Sequence, residues 1–366
     1  MPASLRSIFR FQESGLLVVV LVLGAALTAF SGSVRLPVFR YGPDGARQRV
    51  FTTDAAGNRA PAFVVRNKFL NPQNLAQLAK DTSFIAIMAV GAAFVIIAGG
   101  IDLSVGSLYA LSAVMGALVL RHFAAADGPP WPGILLGGAA CLGTAMLCGL
   151  VNGALITSLK VHPFIITLGA MAILRGIAFV ATTGQSIGGF PAEFRGLVRH
   201  EVGPGLSLVP LLVTLVVLLA GWICLGRLAL GRWIYAVGGN ELAARFSGIR
   251  VERVKLAVYV FSGLSAGIAA LLSLGYYGAA TSGDGEGYEL NVIAAAVVGG
   301  ASLLGGRGSA LGVVLGALVI QMISSGIIIL GIDQNYSQII IGTVVIAAVV
   351  LDNVNTWLAR RRTLSP

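Results

Sequence analysis

The segment Arg227–Lys255, RLALGRWIYAVGGNELAARFSGIRVERVK, carries six Lys/Arg and two Glu between two long stretches that hold no charge. A short capped helix is written in its middle. Asn240 is a good N-cap for Glu241, Leu242, Ala243, Ala244, Arg245, Phe246 and Ser247, among which Leu and Ala favour helix, and Gly248 is a stop before Ile249. A helix this short does not hold itself in water. It is expected to dock on something, with Leu242, Phe246 and Ile249 at i, i+4 and i+7 as its apolar edge. A chain otherwise suited to lipid has kept one compact basic element in water, which is what a membrane pore needs if something soluble must push on it.

Outward from this segment, composition fixes the class. Of 366 residues, 56% are hydrophobic and 11% charged, against roughly 25% charged in soluble domains, and mean hydropathy is +0.88. A membrane span takes about 20 apolar residues. Such stretches are expected near 15–32, 82–99, 103–121, 134–157, 163–182, 206–225, 255–277, 289–304, 309–331 and 337–352. The expectation is an all-α polytopic membrane protein of about ten transmembrane helices, with residues 1–366 as a single transmembrane domain. The 49 Gly suit membrane helices whose backbones approach across small residues. Cys141, Cys148 and Cys224 lie in apolar stretches and read as small buried hydrophobes. The stretch 15–32 lacks a small-residue cleavage site and reads as a retained span.

The net charge of +10 comes from basic residues in short connectors beside apolar spans. That is the positive-inside pattern rather than a folded basic face, so no nucleic acid partner is expected. With both termini in the cytoplasm, the cytoplasmic segments hold thirteen basic residues, among them Arg6, Arg10, Lys160, Arg307 and Arg360 to Arg362, while the short outer connectors hold only Arg121, Arg195 and Arg199. The long outer connector adds eight more, from Arg35 to Lys80, but longer segments translocate with less regard to charge. Within it, residues 33–68 form a polar insertion, with turn signals at Gly42-Pro43-Asp44-Gly45 and Ala56-Gly57-Asn58 and strand-like runs able to pair as a small hairpin. Asn71-Pro72 then opens a short amphipathic helix, Gln73 to Lys80, expected to lie along the interface.

Few residues in the spans are equipped for chemistry. Asp102, Ser104 and Ser107 interrupt two apolar runs in AGGIDLSVGS (98–107). An ionisable group at membrane depth costs about 3 kcal/mol, so Asp102 needs partners. Asp102 or Ser104 serves as a helix N-cap, or lines a translocation path, and both can hold because a broken helix is tolerated where protein or water lines it. Thr167 and Arg175 lie in the fifth span. Arg175 either snorkels or pairs with another span, or offers hydrogen bonds to a polar solute. TSGDGEGYELN (281–291) sets Asp284, Glu286 and Glu289 in an outer connector, without a complete calcium loop and suited to a solvated turn facing a docking partner. His122, His162 and His200 fall in connectors without a metal or nucleophile pattern, and no GxxxxGK[ST] occurs, so neither a metal site, a catalytic site nor ATP hydrolysis by this chain is expected.

The segment GNELAARFSGIRVERVKLAVYVFSG (239–263), together with GGIDLSVGS (99–107), HPFIITLG (162–169) and GGRGS (305–309), resembles the permease subunits of bacterial ATP-binding cassette sugar importers, the ribose, xylose, arabinose and galactoside group. The likeness extends over nearly everything from Phe69 onward and departs at 33–68, longer than the usual first outer connector. It implies a type II-like importer fold in the bacterial inner membrane and pairing of two permeases as a homodimer or heterodimer. Cytoplasmic ATPases that use ATP and Mg would lie below, and a periplasmic sugar-binding protein above. It implies that residues 227–255 are a cytoplasmic coupling loop in which Asn240 to Ile249 meet the ATPase. No cofactor is expected on this chain. Two rivals stand beside it: a related permease for branched-chain amino acids or nucleosides, and an ion-coupled secondary transporter with Asp102 as its coupling carboxylate.

Overall fold

The computed structural model describes residues 11–41, 47–53, 57–124, 129–203, 206–347 and 349–350. The turn at Gly42 to Gly45, Arg6, Arg10, Arg360 to Arg362 and the end of the last expected span lie outside the described residues. Helix α1 (Phe11–Phe30) leads through the insertion to α2 (Pro72–Ile97). The run from Ser83 to Ile97 has no polar face, and a helix apolar all round belongs inside a bundle. α2 is accordingly the central column, with 94% of its apolar window buried against 17% for α1.

After α2 come α3 (Val105–Ala124), α4 (Trp131–Leu159), α5 (Pro163–Thr182) and, after the short α6 (Ala192–Val198), α7 (Leu208–Arg227), of which α7 packs directly on α2. The polar segment follows as α8 (Ala229–Gly239) and α9 (Glu241–Phe246), and the bundle is completed by α10 (Val251–Tyr277), α11 (Tyr288–Val298) and α12 (Ala310–Ile329). Residues 337–347 are helical. The tightest pairing is α4 on α10: a Cβ on Gly149 would collide with the Tyr259 carbonyl, and one on Gly263 with the Ala145 carbonyl. Backbones at van der Waals contact supply the dispersion energy that association within lipid relies on.

Among the described residues, eight helices are long and apolar enough to cross a membrane, fewer than the ten expected. The stretch 289–304 is not a span. Its helix α11 has 11 residues, about 16 Å at 1.5 Å per residue, roughly half the hydrocarbon thickness. It ends at the Gly299-Gly300 pair, and Ala294 to Ala296 are fully buried, so α11 is a half-length helix enclosed by the bundle.

Two other expectations change. The separate interfacial helix at 73–80 is instead the first turns of α2, capped by the Asn71 side chain, which accepts from Asn74 N at 2.9 Å. The helix continues inward through Lys80 because that ammonium finds Asp81 at 3.1 Å, the Tyr277 hydroxyl at 3.2 Å and the Tyr276 ring 4.4 Å away. The insertion is not one hairpin but three antiparallel ribbons: β1 (Ser33–Pro37) with β6 (Phe63–Asn67), β2 (Phe39–Tyr41) with β3 (Arg47–Arg49), and β4 (Phe51–Thr53) with β5 (Arg59–Pro61). They meet at a closed triangle of backbone bonds, Val38 N to Ala62 O, Ala62 N to Val50 O and Val50 N to Val38 O, each 2.9 Å. Val38-Phe39, Val50-Phe51 and Ala62-Phe63 recur every 12 residues, a sequence signal of this three-armed junction.

Candidate functional site

The break between α2 and α3 is held by side chains from three other helices. Gly99 and Gly100 turn the chain out of α2, and the freed groups at 101–104 must be satisfied without water. Asp102 Oδ1 accepts from Ser104 N at 3.0 Å and Ser104 Oγ at 2.6 Å, and Oδ2 accepts from Ser262 Oγ of α10 at 2.7 Å. Asn152 of α4 donates to Ser104 Oγ at 2.9 Å. The Ile101 carbonyl accepts from Tyr259 Oη at 3.2 Å, and Thr167 Oγ of α5 stands 3.3 Å from it. Asp102 is 3% exposed, and Ser104, Ser107 and Thr167 are fully enclosed. Asp102, Ser104 and Thr167, with Asn152, Tyr259 and Ser262, therefore stitch the break together within this chain, and Asp102 serves as a local cap. Ser107 Oγ is buried without a hydrogen-bond partner among the described residues.

Arg175 behaves as a strut. Its Nη1 donates to the carbonyls of Ser282 and Asp284, both at 2.7 Å, and so fixes the connector before α11 to α5. The three carboxylates of that connector do not form one outward face. Asp284 turns inward on its own loop, accepting from Thr281 N at 2.9 Å and Thr281 Oγ at 2.7 Å. Glu289 is half-buried with Oε2 unpartnered among the described residues, and Glu286 alone is exposed.

At the other end of the bundle, α9 is the helix foreseen at 240–248. Asn240 caps it by accepting from Ala243 N at 2.9 Å, and Gly248 ends it at φ +83°. Ala244 faces the protein, whereas Leu242 and Phe246 are 63% and 83% exposed. Ile249 does not extend that edge; it is half-buried and packs back on the core. Glu241 meets Lys255 at 2.7 Å, and Arg245 meets Glu252 at 2.7 Å, so the helix is tied to the first turn of α10.

Directly before the cap, α8 is wedged into the bundle at Gly238. A Cβ there would collide with the Ile97 carbonyl and lie 2.7 Å from Gly306 N, and Gly306 N itself donates to Ile97 O at 2.8 Å. The ends of α2, α8 and the GGRGS loop thus converge beside the short helix. Sequence reading missed Asn152, Tyr259, Ser262 and Gly238. Asn152 alone carried a signal, as an amide within an apolar run.

Residues 74–349 fit the family described as branched-chain amino acid transport system / permease component. The chain belongs to that permease family. The ribose import permease protein of Escherichia coli K12 is 38% identical over 287 residues, covering 78% of this chain and 87% of the relative. The D-allose transport system permease protein of the same organism is 39% identical over 284 residues, covering 78% and 84%. The fructose import permease protein of Rhizobium meliloti is 32% identical over 306 residues, covering 81% of each. The permease is a multi-pass membrane protein, and its three-armed insertion at 33–68 precedes the family match.

Proposed function

We propose that this permease is the membrane subunit of an ATP-binding cassette importer and forms, with a second permease chain, the path by which a monosaccharide crosses the bacterial inner membrane. A periplasmic binding protein delivers the sugar, and separate cytoplasmic ATPases using ATP and Mg drive the cycle. Both termini are cytoplasmic in this reading. The observation that carries it is the short helix from Asn240 to Gly248, capped at both ends yet presenting Phe246 83% exposed. A six-residue helix with an apolar edge in water needs a groove to fill. Closure of ATP-bound ATPases would move that groove, and differential contact with the two ATPase states shifts the bundle between two arrangements.

Relatives named for ribose, D-allose and fructose favour a sugar over the branched-chain amino acids of the family description. The enclosure of Asp102 by Ser104 and Ser262 favours a fixed structural carboxylate over an ion-coupling one. The test is gentle extraction of the tagged permease from its native membranes, identification of what co-purifies, and uptake by the reconstituted complex with and without ATP. Recovery of an ATPase with ATP-dependent sugar uptake is the expected result. A solitary chain whose uptake follows an ion gradient overturns the reading.

A further inference from the structure

We infer that the cavity between the start of α11, the end of α12 and residues 334–341 is a transit subsite for a neutral polyol, the point at which the permease accepts its sugar. This rests on the importer reading above. The cavity has a volume of about 300 Å³, at the lower bound of small-ligand sites, about 300 Å³. Glu286, Asn291, Ser324, Gln334, Ser337 and Gln338 line it. Of these, Ser324 hydrogen-bonds its own helix at Ile320 O, 3.1 Å away. The other five side chains have no hydrogen-bond partner among the described residues, and Glu286, Gln334 and Gln338 are exposed while Asn291 and Ser337 are half-buried, so their polar groups are free to meet a solute. Ile327 and Ile341, 4% and 6% exposed, provide an apolar wall for the C–H face of a ring.

The position suits entry. α12 begins at Ala310, capped by Ser309 beside the loop that meets Ile97 and Gly238, and reaches the cavity only at Ser324 near its far end. There Ser325 Oγ stands 3.5 Å from Asn74, at the root of the insertion. The cavity therefore lies at the end of the bundle opposite α9. Its upper rim is the connector that Arg175 clamps through Ser282 and Asp284.

The chemistry selects the solute class. Amides and hydroxyls both donate and accept, and a carboxylate accepts strongly, which matches the paired donor and acceptor character of vicinal hydroxyls. An α-amino acid also needs a positive partner for its carboxylate, and the lining contains no lysine or arginine. The N-terminus of α11 opens there at Gly287, but Glu286 and Glu289 flank it and repel a second carboxylate. Weak binding is what transit requires, because the solute must also leave.

The experiment uses proteoliposomes holding the full permease with its ATPase and binding protein, and radiolabelled ribose, allose, fructose and leucine as probes. Gln338→Leu and Asn291→Leu are expected to lower the maximal uptake of the imported sugar tenfold or more. The half-saturating concentration of binding protein and the co-purification of ATPase should stay unchanged, which separates a solute site from a docking face or a folding defect. Glu286→Gln, which keeps an acceptor without the charge, is expected to lower uptake less than threefold. Gln338 is exposed, so its variant decides the matter even where Asn291→Leu fails to assemble. Uptake at the unsubstituted rate by Gln338→Leu overturns the subsite while leaving the importer intact. ATP-driven leucine uptake with no sugar uptake by the unsubstituted complex overturns the sugar reading and the subsite together.

Discussion

Arg245 stands 2.7 Å from Glu252, joining the exposed helix α9 to the first turn of α10. Both side chains are about half exposed, at 51% and 48%, and such pairs contribute about 0–1 kcal/mol. Their use is orientation rather than stability, together with the Glu241 to Lys255 pair at 2.7 Å. Neutralising Glu241 and Arg245 together to Ala is expected to leave expression and thermal midpoint nearly unchanged, while α9 loses its fixed angle to α10. Uptake should fall tenfold or more with ATP hydrolysis retained, read from parallel uptake and phosphate-release assays. Unchanged uptake would remove the coupling role from these residues.

Phe246 offers a cleaner separation of folding from assembly. At 83% exposure it has little packing to lose within the chain, and surface changes of that kind usually stay within about 0.5 kcal/mol. An aromatic anchor seated in a partner's groove costs about 2 kcal/mol or more when truncated, which is roughly thirtyfold in affinity. Phe246→Ala is therefore expected to leave the melting of the isolated permease unaltered and to weaken ATPase binding by that factor in a titration. Equal affinity for both proteins would mean that the ring faces no partner.

What could be read in the sequence followed the physics of each segment. Long apolar runs announced the spanning helices, because lipid demands about 20 such residues in a row. The helix at 240–248 was legible because capping is a local rule. α11 was misread because apolar length cannot tell a spanning helix from a half-length one enclosed by neighbours, and only the packing of Ala294 to Ala296 decides it. Asp102 could be seen to need partners, but Ser262 lies 160 residues away, and only the fold brings it to 2.7 Å. Ile249 was placed on the wrong side because the 3.6 period stops at Phe246, after which the glycine turn directs the chain back to the core.

Gly238 is expected to be sensitive in a way that its neighbour is not. An added methyl at Gly238 runs into the Ile97 carbonyl and presses on Gly306, whereas one at Gly239 meets nothing within 4 Å. Overpacking of this kind costs about 1–3 kcal/mol. Gly238→Ala should lower the thermal midpoint of the purified permease and cut uptake per ATP hydrolysed, since the helix before the Asn240 cap is displaced from α2. Gly239→Ala should match the unsubstituted protein in both. Equal behaviour of the two variants would show that the contact of Gly238 with Ile97 and Gly306 does not position the helix.

Asp102→Asn separates the structural role of the carboxylate from an ion-coupling one. The amide oxygen keeps the place of Oδ1, where Ser104 N donates at 3.0 Å and Ser104 Oγ at 2.6 Å, and the NH₂ then faces Ser262 Oγ, which donates to Oδ2 at 2.7 Å in the unsubstituted protein. Ser262 can rotate its hydroxyl to accept instead, so the loss is that of an imperfectly satisfied buried group, about 1–3 kcal/mol. The expected outcome is a lower melting temperature. Residual uptake should still require ATP and ignore collapse of the proton and sodium gradients. If the carboxylate bound a coupling ion, uptake by the unsubstituted protein would follow the gradient and the same substitution would abolish that response. Measuring uptake against both gradients in the unsubstituted and substituted proteins decides between them, because only the ion-coupled reading makes uptake follow a gradient that the substitution then silences.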